Sequence, residues 1–151
     1  MARLWCSIGS LALLLASVTP ARGQEPLSAG RVKVVSGSAF VVRQGMQVPA
    51  QVGQAVLESD SIRTGADGSV GVTLRDETRV SLGPNSEVLL SRFTYSPADS
   101  NFALTLRFVR GIAAYVSGHM AKLSPDSIRL ETPASIVGVR GTRLGIRVEA
   151  P

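Results

Sequence analysis

The sequence predicts an all-β domain built of short strands. Three observations carry this. Apolar and polar residues alternate in one short run after another, the pattern of half-buried strands. Gly, Pro, Asn and Asp interrupt these runs roughly every ten residues, as turns do in small β folds. And no window supports a long amphipathic helix: residues 111–121, "GIAAYVSGHMA", allow one helical turn, beyond which the two glycines weigh against it.

The elements follow in order. Val32-x-Val34 alternates, and Ala39 to Val42 is apolar after a turn at Gly37-Ser38. Gln44-Gly45 is the next turn, and 48–56, with Pro49 and Gly53, reads as an irregular connection. Ile62 marks a strand that ends at the turn Gly65-Ala66-Asp67-Gly68. Val70-x-Val72-x-Leu74 and Val80-x-Leu82 alternate strictly on either side of a turn at 75–78. Gly83-Pro84-Asn85-Ser86 turns the chain again, where Asn85 and Ser86 suit capping of backbone N–H groups. Val88 to Leu90, the long alternation Phe102-x-Leu104-x-Leu106-x-Phe108, Ile128-x-Leu130, Ile136 to Val139 and Leu144-x-Ile146-x-Val148 complete the series. One domain over 31–149 results, after a flexible lead-in at 24–30. The segment 60–90 reads as successive rungs with turns between them, which favours a β-helix or solenoid-like arrangement; a β-sandwich or jelly-roll-like barrel is the alternative.

Residues 1–23 stand apart. Arg3 precedes an apolar run, Leu4 to Val18, and Ala21-Arg22-Gly23 places small residues where a signal peptidase reads. This is the pattern of a secretory signal peptide cleaved after Gly23. The run is shorter than the roughly 20 residues that span a bilayer, so no stable membrane span is expected after cleavage. Cys6, the sole cysteine, precedes the run and is removed with it. The exported chain then has no thiol chemistry and no disulfide, which suits a periplasmic or secreted protein.

Cleavage takes the chain from 16 basic and 11 acidic residues to 14 and 11. The basic residues are dispersed and aromatics are few, so no nucleic-acid face is indicated. His119, the one histidine, has no second ligand nearby, whereas zinc wants three or four. It is also the only base available to a serine nucleophile, and no Gly-x-Ser-x-Gly elbow is present. Carboxylates at Asp60, Asp67, Asp76, Glu77 and Glu87 sit in or near turns, with few aromatics to stack on a sugar. The reading is a protein without enzymatic activity, metal or cofactor.

The run Asp60-Ser-Ile62-Arg-Thr64-Gly65-Ala-Asp-Gly68, then Val70-Gly-Val72-Thr-Leu74-Arg-Asp76, then Val80-Ser-Leu82-Gly-Pro-Asn85-Ser86, resembles the FecR domain. Gly111 with Ala114-Tyr115 fits its next segment, and Thr132-Pro133-Ala134-Ser-Ile136-Val-Gly138-Val-Arg140-Gly141-Thr142 looks like its closing signature. Two positions depart: Glu77 stands where the family's turn usually has Gly, and Ser59 stands where Gly often precedes the Asp. The resemblance implies structural roles for Asp60 and Arg140, a carboxylate and a guanidinium able to bind several backbone groups at once. Gly141 then lets the backbone pass closely or take positive φ. The founding sensors carry a cytoplasmic segment that contacts a sigma factor, and a membrane helix; the signal peptide replaces both here.

Two functions are therefore expected. The first is a non-enzymatic interaction, scaffold or signalling module of the bacterial envelope with a protein partner, engaged by strand addition at a sheet edge. The alternative is a ligand-sensing or cell-wall polymer-binding domain, supported by the mild positive charge and by Arg107, Arg110, Lys122 and Arg129.

Overall fold

The computed structural model describes residues 27–139 and 143–149. The signal peptide, the start of the lead-in and Arg140, Gly141 and Thr142 lie outside the described residues. Twelve strands run through the rest. They are β1 Gly30–Ser36, β2 Ala39–Arg43, β3 Met46–Pro49, β4 Ala55–Val56, β5 Ser61–Thr64 and β6 Ser69–Leu74. Then follow β7 Arg79–Leu82, β8 Glu87–Ser96, β9 Asn101–Val116, β10 Ile128–Glu131, β11 Ile136–Gly138 and β12 Arg143–Val148. A single helical turn, α1 Met120–Leu123, lies between β9 and β10. Residues 48–56, read as irregular, end β3 and contain β4, each too short to declare itself by alternation. No helix among the described residues is long and apolar enough to cross a membrane.

The strands form one curled sheet in the order β3-β2-β5-β8-β9-β7-β6-β1-β4, with β10 and β12 also on β9 and β11 beyond β10. All pairings are antiparallel except β9 with β10. β9 is the spine. Its first half lies between β8 and β10, and its second half between β7 and β12. The sheet thus has two wings that share one strand, and the alternation of each strand turns its apolar residues into the space between them. Val32, Val41, Val72, Leu74, Val88, Leu104, Leu106, Phe108, Tyr115 and Ile128 fill that space.

The all-β class is what the alternation requires. The finer arrangement is a half-barrel of antiparallel strands, nearer the barrel alternative than a solenoid. The rungs of 60–90 do stack, but successive rungs run in opposite directions. The chain crosses from one wing to the other at Gly37-Ser38, at 65–68 and at 83–86, and β9 crosses between them at Gly111. Turn signals report where the chain changes direction, and opposed stacking needs the pairing as well.

Candidate functional site

The signature residues assemble first at the stacked corners. The Gly65 N–H donates to the Ser38 carbonyl at 2.8 Å, the Asn85 N–H to the Gly65 carbonyl at 3.0 Å, and the Gly83 N–H to the Ile112 carbonyl at 2.9 Å. Four crossings are thereby tied in series. Thr64 and Ser86 hold the middle. The Thr64 hydroxyl donates to the Gly83 carbonyl at 2.6 Å and accepts from the Ser86 N–H at 2.9 Å. The Ser86 hydroxyl accepts from the Ile112 N–H at 2.8 Å, and the Pro84 and Ile112 carbonyls lie 3.0 Å away to take its proton. Ile62, two residues before Thr64, is buried in the core. A Cβ at Gly68 would run into the Ser38 carbonyl. Asn85 takes φ of 52°, a backbone form that asparagine tolerates.

Asp60 forms a second tie. It is 1% exposed, and the guanidinium of Arg43 grips it with Nε to Oδ1 at 2.9 Å and Nη2 to Oδ2 at 2.7 Å. The Leu57 N–H donates to Oδ2 at 2.8 Å. Arg43 also reaches the Ala55 carbonyl at 3.0 Å. One carboxylate thus joins the end of β2, the connection before β5 and β5 itself. Arg43 was not singled out in the sequence, since it lies 17 residues from Asp60 and in no motif with it.

Asp76 makes the third. Its carboxylate accepts from the Thr78 hydroxyl at 2.7 Å and the Thr78 N–H at 3.2 Å, and its carbonyl accepts from the His119 N–H at 2.6 Å. Glu77, between them, sits at φ of 68°. The Gly118 N–H donates to the Thr78 hydroxyl. Tyr115 is fully buried beside this turn. Burial, and after it the Asp76 carboxylate, pushes its phenol up from 10.0 to about 12, with Thr78 and Ser117 offsetting part of the effect. The hydroxyl makes no hydrogen bond of good geometry to either.

A phenol that resists ionisation when folded contributes stability that is complete below pH 10 and is lost as pH rises from 10 towards 12. Roughly 2–3 kcal/mol disappears over that range. Tyr115→Phe should remove that alkaline limb while leaving stability at pH 7 within about 1 kcal/mol, as its hydroxyl is poorly bonded. Urea titrations at pH 8 and pH 11 would check this, and an unchanged alkaline loss would refute it.

These three ties are saturated internally, so they are poor reagents. His119 is exposed, its backbone N–H donates to the Asp76 carbonyl, and among the described residues its ring forms no ion pair with a carboxylate. Among the described residues no group of three His, Cys, Asp or Glu side chains gathers as a metal site would require.

What remains open to a partner lies at edges and outer faces. Among the described residues β11 is a sheet edge, exposed along its length, with Ile136 67% exposed. Its hairpin is closed by Thr132 and Ser135, whose N–H and carbonyl groups bond each other at 2.8 and 3.4 Å. By antiparallel alternation the next bonded pair is Leu130 with Val137, so the backbone groups of Ile136 and Gly138 face the open edge. Clefts of about 550 and 480 Å³ flank this hairpin, both lined by Ile136.

No curated protein and no solved structure matches the chain significantly. The family model described as FecR protein matches residues 60–151, which begin at Asp60 and take in the 60–90 corners, β9 and the β10–β11 hairpin. Proteins of this family have signalling and regulatory roles at the cell envelope. With a match over more than half its length, the chain belongs to the FecR family.

Proposed function

We propose that this chain is an exported, non-enzymatic interaction module that docks a protein partner of the envelope by strand addition along β11. The observation that carries this reading is the free edge at Ile136 and Gly138. N–H and carbonyl groups with no partner among the described residues stand there beside an exposed isoleucine and two clefts, the combination that strand addition uses: main-chain bonds for affinity and pockets for specificity. The buried ties support the same reading, because a module that presents an edge needs that edge held in place.

The test is Ile136→Pro. Proline removes the outward N–H without removing a bond to β10, since Ile136 is in the non-bonded register. A tagged chain is expressed in a bacterial envelope, crosslinked in the cell, and its partners identified by mass spectrometry. The wild type should yield one dominant protein, and Ile136→Pro should reduce its recovery at least fivefold with an unchanged melting midpoint. Undiminished recovery from the variant would overturn the assignment of the edge. No protein partner at all would overturn the docking reading.

A further inference from the structure

Arginines that are dispersed in the sequence are gathered by the sheet register. Residues paired across strands share a face, so the outer face of the β5-β8-β9-β10 wing carries Arg63, Arg92, Arg107, Arg110 and Arg129. Its acids are Glu87 and Glu131, already engaged. Glu87 bonds Arg63 at 3.0 Å and lies 3.8 Å from Arg110, and Glu131 bonds Arg107 at 3.2 Å. Burial raises the Glu87 carboxyl, but the Arg63 and Ser61 hydrogen bonds and the two guanidinium charges hold it below the ordinary glutamate range.

Arg92 and Arg129 are different. Both are exposed, and neither has an acidic partner among the described residues. Arg92 and Arg129 are both paired with Thr105, one on β8 and one on β10, so they flank it across three adjacent strands. At the spacing of neighbouring strands their backbones stand roughly 10 Å apart. A cleft of about 290 Å³ lies between them, lined also by Ser127 and Asp126.

We propose that this face binds a polysaccharide bearing spaced carboxylates, with Arg92 and Arg129 as its principal contacts. Guanidinium forks suit carboxylates bidentately. The hydroxyls of Thr105 and Ser127 and the carboxylate of Asp126 suit sugar hydroxyls. Phe102 and Ala103 also line this cleft, offering an apolar wall to a sugar ring, and the vesicle arm of the experiment separates this from insertion into a lipid surface. This proposal uses the outer face and not the backbone of the β11 edge, although Asp126 and Arg129 also line the cleft beside Ile136.

The experiment measures binding of the purified exported chain to polygalacturonate, with dextran as the neutral glycan and anionic phospholipid vesicles as the lipid surface. Binding to polygalacturonate should exceed binding to both, and should weaken as salt rises. The double variant R92E/R129E should weaken it at least tenfold. The charge-matched variant R79E/R147E, on the outer face of the other wing, should change it less than threefold. Equal losses from the two variants would reduce the effect to net charge and overturn the site. Failure to bind polygalacturonate, equal binding to dextran, or stronger binding to the vesicles would also overturn it. Melting curves of both variants establish that each is folded when binding is read.

Discussion

Gly111→Ala is expected to destabilise the domain by about 3–5 kcal/mol, through overpacking and backbone strain together. Gly111 has φ of 88°, a conformation that side chains resist. A Cβ there would lie 2.5 Å from Ser86 Cα and 2.6 Å from the Asn85 carbonyl oxygen, which are backbone atoms with nowhere to go. Glu87 pairs with Arg110 but Val88 pairs with Phe108, so Val109 is an extra residue in β9 two positions before the glycine. Bulge and glycine together let β9 leave one wing and enter the other. Pushing Ser86 aside would also break its bond to the Ile112 N–H, and with it the series of stacked corners. In thermal unfolding the midpoint should fall by on the order of 10–20 °C. Gly145→Ala in β12 is the control: nothing lies within 4 Å of a Cβ there and φ is not positive. It should be near neutral, and equal losses at the two positions would refute the geometric account.

Alternation made β6, β7 and β9 legible because it is a local property, fixed by the two-residue repeat of a strand. The corners at 65–68 and 83–86 were legible from turn residues. Pairing was not, because it is set by contacts such as Thr64 to Ser86, 22 residues apart, that no local period encodes. The same limit hid Arg43, whose partner is 17 residues away, and scattered the arginines of the outer face until register assembled them. The departures from the family pattern carried more than they disclosed. Ser59 and Glu77, where glycine is usual, sit at φ of 73° and 68°. The backbone requirement persists here although the residue that meets it most easily is gone. β3 and β4 escaped notice because one is exposed at every position and the other has two residues.

Arg43→Ala is the second substitution expected to act strongly. Removing one member of a buried ion pair costs about 3–5 kcal/mol when the charge left behind has no other partner. Here the Arg43 side chain is 41% exposed, so water can reach part of the vacated space, while Asp60 is 1% exposed and would keep only the Leu57 N–H. About 3 kcal/mol at pH 7 is therefore the expected loss. Asp60→Ala also frees Leu57 from its acceptor, but leaves a guanidinium that can turn to solvent and still reach the Ala55 carbonyl. The informative measurement is the double variant. Once the carboxylate is gone, Arg43 has little left to do, so Arg43→Ala/Asp60→Ala should cost little more than Asp60→Ala alone. Urea unfolding of all four proteins should then give a coupling of about 2 kcal/mol or more. Additive losses would mean that the two side chains stabilise the domain separately, and that the link from β2 to β5 is made by the backbone alone.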